Sequence, residues 1–159
     1  MNKNRLIQKL IELTKQNLLA AYDAAQSTYD IATNEESKAE NKYDTRGLEA
    51  SYLAGAQAER VADIKATLAS YENLNIREFD ENSKIALSAL IEICSSGKST
   101  LVLLMPKGGG QNINFEELQI QVITPLSPLG SSLIGKEIGD VIQVSTADKL
   151  REYEILKIS

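Results

Sequence analysis

The residues most suggestive of chemistry are acidic and lie close together in the first half of the chain. Residues 30–44 contain five carboxylates against two lysines: Asp30, Glu35, Glu36, Glu40 and Asp44, with Lys38 and Lys42. Glu36, Glu40 and Asp44 are four residues apart, so on a helix they share one face. Acidic groups in a first helical turn also favour the helix dipole, by roughly 0.3–1 kcal/mol each. Like charges at this spacing repel, so capping alone does not explain Asp44.

Composition excludes several other kinds of chemistry. The 159 residues include no histidine and one cysteine, Cys94. Without histidine, Ser-His-Asp and Cys-His catalysis, His-ligated zinc and imidazole general bases are all excluded. A single cysteine excludes an internal disulfide and fits a reducing cytoplasm. Any chemistry must therefore use carboxylates, lysines, hydroxyls or a metal supplied by another molecule.

Charge and hydropathy indicate a folded protein that does not itself hold nucleic acid. Hydrophobic residues make up 43% of the chain and charged residues 25%, and the net charge is −5 without a basic run. Binding to nucleic acid through counterion release needs clustered lysine and arginine. No stretch approaches the roughly 20 apolar residues that span a bilayer. The amphipathic start does not fit a signal peptide, so we expect a cytoplasmic protein without membrane association.

The acidic residues lie within a segment whose pattern predicts a helical hairpin. The first 75 residues lack proline and contain only two glycines. Two stripes with alternating steps of three and four residues predict the seam of a coiled coil. The first stripe is Leu6, Leu10, Leu13, Asn17, Ala20, Ala24, Ser27 and Ile31, and the second is Tyr43, Gly47, Ala50, Ala54, Gln57, Val61, Ile64, Leu68 and Tyr71.

Capping signals between the stripes predict where the helices end. Two Ser/Thr-x-x-Glu boxes indicate a first helix over about 3–32, a turn at 33–36 and a second helix over about 37–73. Arms of 30 residues would each be roughly 45 Å long. A break at 44–47 is the alternative, and it would give arms of unequal length and interrupt the second stripe.

The second half of the chain has the composition of a β-rich domain. All three prolines and seven of the nine glycines lie beyond residue 96. The pattern predicts one short helix that is capped by Ser127-Pro128 and ends near Gly135. Strands are predicted at 85–93, 100–105, 118–124, 140–145 and 151–158.

These elements predict an α+β fold in three parts. Residues 1–74 form the antiparallel helical hairpin, 75–83 a polar linker, and 84–159 a curled antiparallel sheet packed on the short helix.

The segment from Ile123 to Val144 resembles the C-terminal signature of the GreA/GreB family. The matching elements are Ser127-Pro128, Leu133-Ile134-Gly135-Lys136 and Gly139-Asp140-Val141, followed by the final strand Tyr153–Ile158. In that family the region is an FKBP-like domain that serves docking and has no prolyl isomerase activity. The resemblance therefore implies an FKBP-like fold. It also implies that Ser127, Pro128, Leu129 and Gly130 contribute to docking on a partner.

The same family carries an N-terminal helical hairpin, so the resemblance extends over nearly the whole chain. Such factors insert the hairpin into the secondary channel of RNA polymerase, where its acidic tip helps hold a catalytic magnesium ion and the attacking water. The family's tip approximates Gly-Asp-Leu-Ser-Glu-Asn-Ala-Glu-Tyr, and the nearest stretch here is Glu36-Ser-Lys-Ala-Glu-Asn-Lys-Tyr43. Glu40-Asn41 matches the Glu-Asn pair, whereas Ser37 occupies the position of the aspartate, with Glu36 beside it.

The resemblance implies a set of partners and ligands. Glu36 and Glu40, with Asp44 as an alternative, would act as catalytic carboxylates and magnesium ligands only in complex with core RNA polymerase. Magnesium commonly binds one or two protein carboxylates together with phosphates and water, which suits such a shared site. The chain would be a monomer without a cofactor of its own, would meet the 3′ end of nascent RNA only indirectly, and would not itself be an enzyme.

Two alternative functions remain open from the sequence. The altered tip motif fits a regulator that occupies the secondary channel without promoting cleavage. An FKBP-like prolyl isomerase or chaperone is the alternative of another class, although the second half offers only Phe79, Phe115 and Tyr153 for an aromatic proline pocket. Residues 95–100 imitate the end of a phosphate-binding loop, but they join two predicted strands instead of a strand and a helix.

Overall fold

The chain forms two long helices followed by a six-stranded sheet and one short helix. The computed structural model describes residues 2–33, 46–146 and 149–159. Its elements are α1 (Lys3–Thr33), α2 (Arg46–Glu72), β1 (Leu90–Ser95), β2 (Lys98–Leu104), β3 (Asn112–Phe115), β4 (Leu118–Ile123), α3 (Pro128–Leu133), β5 (Val141–Thr146) and β6 (Lys149–Ile158). The predicted α+β class is confirmed. In the described residues, no helix combines the length and apolarity needed to cross a bilayer.

The chain divides into two compact units. One, which we call the sheet unit, comprises Met1–Leu10 and Ser70–Ser159 and therefore includes the first turns of α1 and the end of α2. The other, the helix unit, comprises Ile11–Ala69.

In the helix unit, the buried stripe of α1 lies one residue away from the predicted one. Thr14 and Ala21 are buried, and Leu18, Ala25, Thr28 and Ala32 are half-buried. The predicted seam residues Asn17, Ala20, Ala24, Ser27 and Ile31 are exposed, so this part of the prediction was wrong. The shift places Leu18 in the seam where the prediction had Asn17. An apolar side chain therefore replaces a polar one that would need a hydrogen-bond partner in the seam.

The stripe of α2 is confirmed wherever the structure describes it. Ala50, Ala54, Gln57, Val61, Ile64, Leu68 and Tyr71 are all buried or half-buried. Of its first two predicted members, Tyr43 lies outside the described residues, and Gly47 lies in α2 without a described burial. Steps of three and four residues thus give α2 a continuous seam, with small side chains at its beginning and larger apolar ones towards its end.

Gln57 is the polar member of the α2 seam, and it predicts a simple stability effect. Its Oε1 atom is buried and accepts no hydrogen bond from the described residues. A buried acceptor without a partner costs roughly 1–3 kcal/mol. Replacing Gln57 by methionine, which has a similar volume, is expected to raise the midpoint of thermal unfolding measured by circular dichroism at 222 nm. An unchanged or lower midpoint would contradict this reading of the seam.

The six strands form one mixed sheet in the order β3-β4-β2-β1-β6-β5. The sequence predicted an antiparallel sheet, but β2 and β4 pair in parallel, with Leu101 opposite Ile120 and Leu104 opposite Ile123. The reason is β3, a short strand that the sequence analysis did not assign. Because β3 runs back along the sheet before the chain turns into β4, β4 has the same direction as β2.

The first predicted strand is shorter than expected. Residues 85–89 were predicted as strand, but β1 begins at Leu90. Ser88 has a φ of 71°, the left-handed region, and its hydroxyl accepts a hydrogen bond from the Arg77 backbone N–H at 2.8 Å. Ile85 bonds instead to the segment that follows α3: its N–H donates to Lys136 O, and its carbonyl accepts from Gly135 N–H, both at 2.9 Å. A tight turn therefore replaces the first half of the predicted strand.

The core of the sheet unit lies between the sheet and α3. It contains apolar side chains from five strands, the turn before β1 and α3: Ile85, Ala89, Ile91, Ile93, Val102, Leu104, Ile123, Leu133, Ile142, Val144, Ile155 and Ile158. Phe79, Leu129, Ile138 and Tyr153 pack against it. Burial of these apolar side chains stabilises the packing of the six-residue helix against this face of the sheet.

Candidate functional site

The acidic segment proposed from the sequence lies outside the described residues. Glu36, Glu40 and Asp44 all belong to it, as do the start of the predicted second helix and residues 44–45 of the alternative break at 44–47. The other two residues of that break, Arg46 and Gly47, lie in α2. The neighbours of the acidic segment are helical on both sides, since α1 ends at Thr33 and α2 begins at Arg46. In the last turns of α1, Gln26 Nε2 donates to Asp30 Oδ1 at 2.8 Å.

The described residues do not assemble a cation site elsewhere. In the ranges 2–33, 46–146 and 149–159, no group of three histidine, cysteine, aspartate or glutamate side chains is placed to hold a metal ion.

The predicted docking segment is a tight turn leading into α3. Ser127 is the N-cap, as predicted: its Oγ accepts a hydrogen bond from the Gly130 N–H at 3.1 Å and donates to Thr124 O at 2.8 Å. Pro128 occupies the first helical position and is exposed, whereas Leu129 packs against the core. Both hydrogen bonds of the Ser127 hydroxyl are internal, so this side chain holds the turn together.

Gly130 gives this turn its compactness. It is buried, and a Cβ atom at this position would overlap the Thr124 carbonyl oxygen and contact Ser127 Oγ at 3.0 Å. Thr124 O already accepts hydrogen bonds from the backbone N–H and the hydroxyl of Ser127. The absence of a side chain at Gly130 is therefore what lets the turn close on the helix.

Leu126, next to the predicted docking segment, is a highly exposed large apolar residue of the sheet unit. Its side chain is 94% exposed and directly precedes Ser127. The sequence analysis did not single it out, because its exposure depends on how the turn between Thr124 and Ser127 is folded. An apolar side chain that is exposed in the free protein favours binding when a partner removes it from water.

The beginning of α1 is fixed in the sheet unit through a buried lysine. Lys3 is 8% exposed, its ammonium group donates to Arg77 O, and it lies 4.5 Å from the centre of the Phe79 ring. Desolvation lowers the pKa of Lys3, and the Glu78 carboxylate acts in the opposite direction. Arg5 and Glu116 form an exposed ion pair at 3.9 Å. These contacts tie the first turn of α1 to the linker and to the β3–β4 turn.

The end of α2 is fixed in the same unit through a buried tyrosine. Tyr71 is 2% exposed, and its hydroxyl donates to Lys107 O at 2.9 Å. Burial raises the pKa of Tyr71 to about 12. Gly108 makes room for the hydroxyl, because a Cβ there would overlap it. The sequence analysis placed Tyr71 in the hairpin seam, so it did not anticipate this bond.

A groove on the sheet offers no aromatic pocket for proline. Its volume is about 800 Å³, and its lining is aliphatic and polar: Leu90, Glu92, Lys98, Ser99, Thr100, Leu101, Asn112, Glu117, Leu118, Gln119, Gln121, Lys157 and Ser159. Proline recognition in a concave site depends on apolar and aromatic walls. This groove therefore gives no support to a prolyl isomerase.

The segment that imitates a phosphate-binding loop is a β-hairpin turn. Ser96 and Gly97 have φ values of 50° and 77° and connect β1 to β2. Positive φ at both central residues is the signature of a two-residue hairpin turn. The predicted strand–turn–strand arrangement is confirmed, and no helix follows to bind an anion.

Comparisons with known proteins point to one family. Residues 110–159 match the sequence model described as "Transcription elongation factor, GreA/GreB, C-term", a range that contains β3 to β6. The chain is 24% identical over 155 residues to the transcription elongation factor GreA of Buchnera aphidicola, with 98% of this chain and 89% of that protein covered. It is also 24% identical to GreA of Neorickettsia sennetsu, with coverage of 96% and 86%.

Two solved structures were also compared with the chain. GreA factor homolog 1 (Gfh1) of Thermus thermophilus is 25% identical, with 94% of both chains covered and a TM-score of 0.39. Gfh1 of Thermus aquaticus is 21% identical, with coverage of 98% and 92% and a TM-score of 0.39.

Proposed function

We propose that this chain, a GreA/GreB-like transcription elongation factor, binds core RNA polymerase, inserts its hairpin into the secondary channel and stimulates cleavage of backtracked RNA. The observation that carries the proposal is the match of residues 110–159 to the GreA/GreB family, together with similarity to GreA proteins over 98% of the chain. The hairpin of residues 1–74 is the inserting arm, and the domain of residues 84–159 is the docking module. The protein acts in the cytoplasm as a monomer.

The acidic segment between α1 and α2 is the chemical part of the proposal. Glu36 and Glu40, or Asp44 in place of one of them, contribute carboxylates to a magnesium ion in the polymerase active site. A metal ion with carboxylate and phosphate ligands lowers the pKa of a bound water and stabilises charge on the reacting phosphate. The chain has no cofactor of its own and is not itself the enzyme. The polymerase holds the nascent RNA, and the chain meets its 3′ end only indirectly.

Two features support delivery of these carboxylates by an arm. α1 and α2 have 31 and 27 residues, so at 1.5 Å per residue each extends roughly 40–46 Å. The chain carries a net charge of −5, which suits contact with a metal-containing site better than direct contact with RNA phosphates.

The direct test uses stalled elongation complexes. Backtracked complexes incubated with the protein and magnesium are expected to release short RNA fragments and to resume elongation. Purified core polymerase without any added factor gives the background rate of RNA cleavage. The absence of shortened transcripts, together with unchanged pausing and initiation, would overturn the proposal.

A second function within the same family is favoured by one observation. Ser37 stands where the family's tip carries an aspartate, so a regulator that fills the channel without promoting cleavage is the alternative proposal. In that case the protein is expected to alter pausing or initiation while transcript lengths remain unchanged.

Leu126 provides a test of docking that is independent of the tip. Replacing Leu126 by aspartate is expected to weaken binding to core polymerase by at least about tenfold, because a partner that covers this position would have to desolvate an unpaired carboxylate. Folding should be unaffected, since the side chain is 94% exposed. Leu150→Asp is the matched control, because Leu150 is 63% exposed on β6. Equal affinities for both variants, measured by biolayer interferometry, would exclude Leu126 from the docking surface.

A further inference from the structure

The helical turns inside the sheet unit are held by two polar contacts that apolar packing does not require. Lys3 in the first turn of α1 is buried, although its ammonium group must give up hydration to occupy that position. A methionine would fill the same space without this cost. The ammonium group instead donates to Arg77 O and lies over the Phe79 ring. The lysine therefore ties the start of α1 to a non-helical backbone segment.

Tyr71 at the end of α2 likewise makes a polar contact that apolar packing does not require. A phenylalanine would give the same buried ring, but the hydroxyl adds a directional bond to Lys107 O at 2.9 Å. Gly108, with a φ of 74°, leaves the space that this hydroxyl occupies. The end of α2 is thus tied to the loop after β2, as the start of α1 is tied to the linker.

We propose that Lys3 and Tyr71 are positioning residues, which together fix the direction in which α1 and α2 leave the sheet unit and so determine where the acidic segment is delivered. This inference rests on the proposed function. Beyond these two bonds, the same turns contribute Leu6, Ile7 and Leu10 to the buried interior, which holds them in place but is not directional.

Because the helices are long, a small change in their direction at the sheet unit moves their far ends by a large distance. A deviation of about 5° at the base of a helix roughly 45 Å long moves its far end by about 4 Å. Magnesium accepts carboxylate oxygens within a narrow range near 2.1 Å. A misplacement of about 1 Å in a catalytic group can cost a hundredfold in rate. Small angular freedom at the base would therefore reduce cleavage without changing the docking surface.

The experiment uses a double variant that combines Lys3→Met and Tyr71→Phe. Its matched control combines Lys9→Met and Tyr29→Phe, two changes at exposed residues of α1. In a Cys94→Ser background, spin labels at Asp23→Cys and Thr100→Cys report the distance between the helix unit and the sheet unit. The double variant is expected to broaden the distance distribution, whereas the control leaves it unchanged. With polymerase, we expect an unchanged dissociation constant and a cleavage rate at saturation that is about tenfold lower.

The possible results distinguish a failure of the positioning role from a failure of the proposed function. An unchanged distance distribution in the double variant overturns the positioning role, whether or not the protein acts on polymerase. A broadened distribution with unchanged cleavage at saturation overturns it as well. If the parent protein neither binds polymerase nor promotes cleavage, the proposed function fails, while the distance measurement still decides whether the two contacts fix the helices. If the double variant does not fold, Tyr71→Phe alone, which removes one oxygen atom, is measured in its place.

Discussion

Replacing Glu36 and Glu40 together by alanine is expected to reduce stimulated RNA cleavage by roughly a hundredfold, the scale on which metal-site groups contribute to activity. The physical reason is that the proposed magnesium site would lose the carboxylates that this chain supplies to it. Binding to polymerase should change little, because the proposed docking residues follow the linker in sequence, whereas Glu36 and Glu40 precede it. Cleavage is measured on backtracked complexes at saturating factor, and binding by competition with labelled wild-type protein.

The control for the tip variant removes the same charge elsewhere on the helices. Glu12→Ala with Glu59→Ala changes two exposed carboxylates of α1 and α2 and is expected to retain near-parental cleavage. If the tip variant keeps most of its effect on pausing and initiation, and the parent shows no cleavage, the channel-filling alternative is favoured. Cleavage that survives loss of both glutamates would leave Asp44 as the residue to replace next, and would contradict the assignment of Glu36 and Glu40.

The element types were predictable because the two halves of the chain have different local patterns. Absence of proline and a three–four apolar rhythm identified both long helices, and Ser127-Pro128 identified the start of α3 correctly. Alternation of apolar and polar residues identified β4 within one residue. These signals are local, since each depends on the residue's own backbone preferences and on which face of its element is buried.

Strand β3 was missed because the residues around it carry no local sequence signal for a hairpin. Its connection to β4 is a two-residue turn in which Glu116 and Glu117 have φ values of 49° and 66°. Asn-Gly or Asp-Gly would have marked such a turn in the sequence, but two glutamates do not. Because tertiary packing imposes this conformation, neither the strand nor the resulting parallel pairing of β2 with β4 could be predicted.

The shift in the α1 stripe has a different origin. Leu6 and Leu10 were correctly predicted as buried, but they lie in the sheet unit, whereas Thr14 onward lies in the helix unit. One helix therefore presents its buried residues to two different environments. A single stripe extended from its first residues drifted by one position. The buried polar contacts of Lys3 and Tyr71 arise in the same region, and no sequence pattern distinguishes them from an ordinary exposed lysine and a seam tyrosine.

Two glycine-to-alanine changes are expected to have opposite effects on stability. A Cβ at Gly130 would overlap the Thr124 carbonyl oxygen, so the turn or α3 must move. Overpacking of this kind costs typically about 1–3 kcal/mol. A Cβ at Gly55 would meet nothing within 4 Å, and Gly55 lies in the interior of α2. Alanine there should stabilise the helix by about 1 kcal/mol.

The measurement must separate the two units, because a chain with two compact parts need not unfold in one step. Urea titrations followed by circular dichroism at 222 nm report mainly α1 and α2, and amide hydrogen exchange of β1 and β6 reports the sheet. Gly130→Ala is expected to accelerate exchange in the sheet, while Gly55→Ala moves the helical transition to higher urea. If Gly130→Ala left exchange in the sheet unchanged, the turn before α3 would have room for a side chain. The close fit of Gly130 against Thr124 would then not be what orders the docking segment.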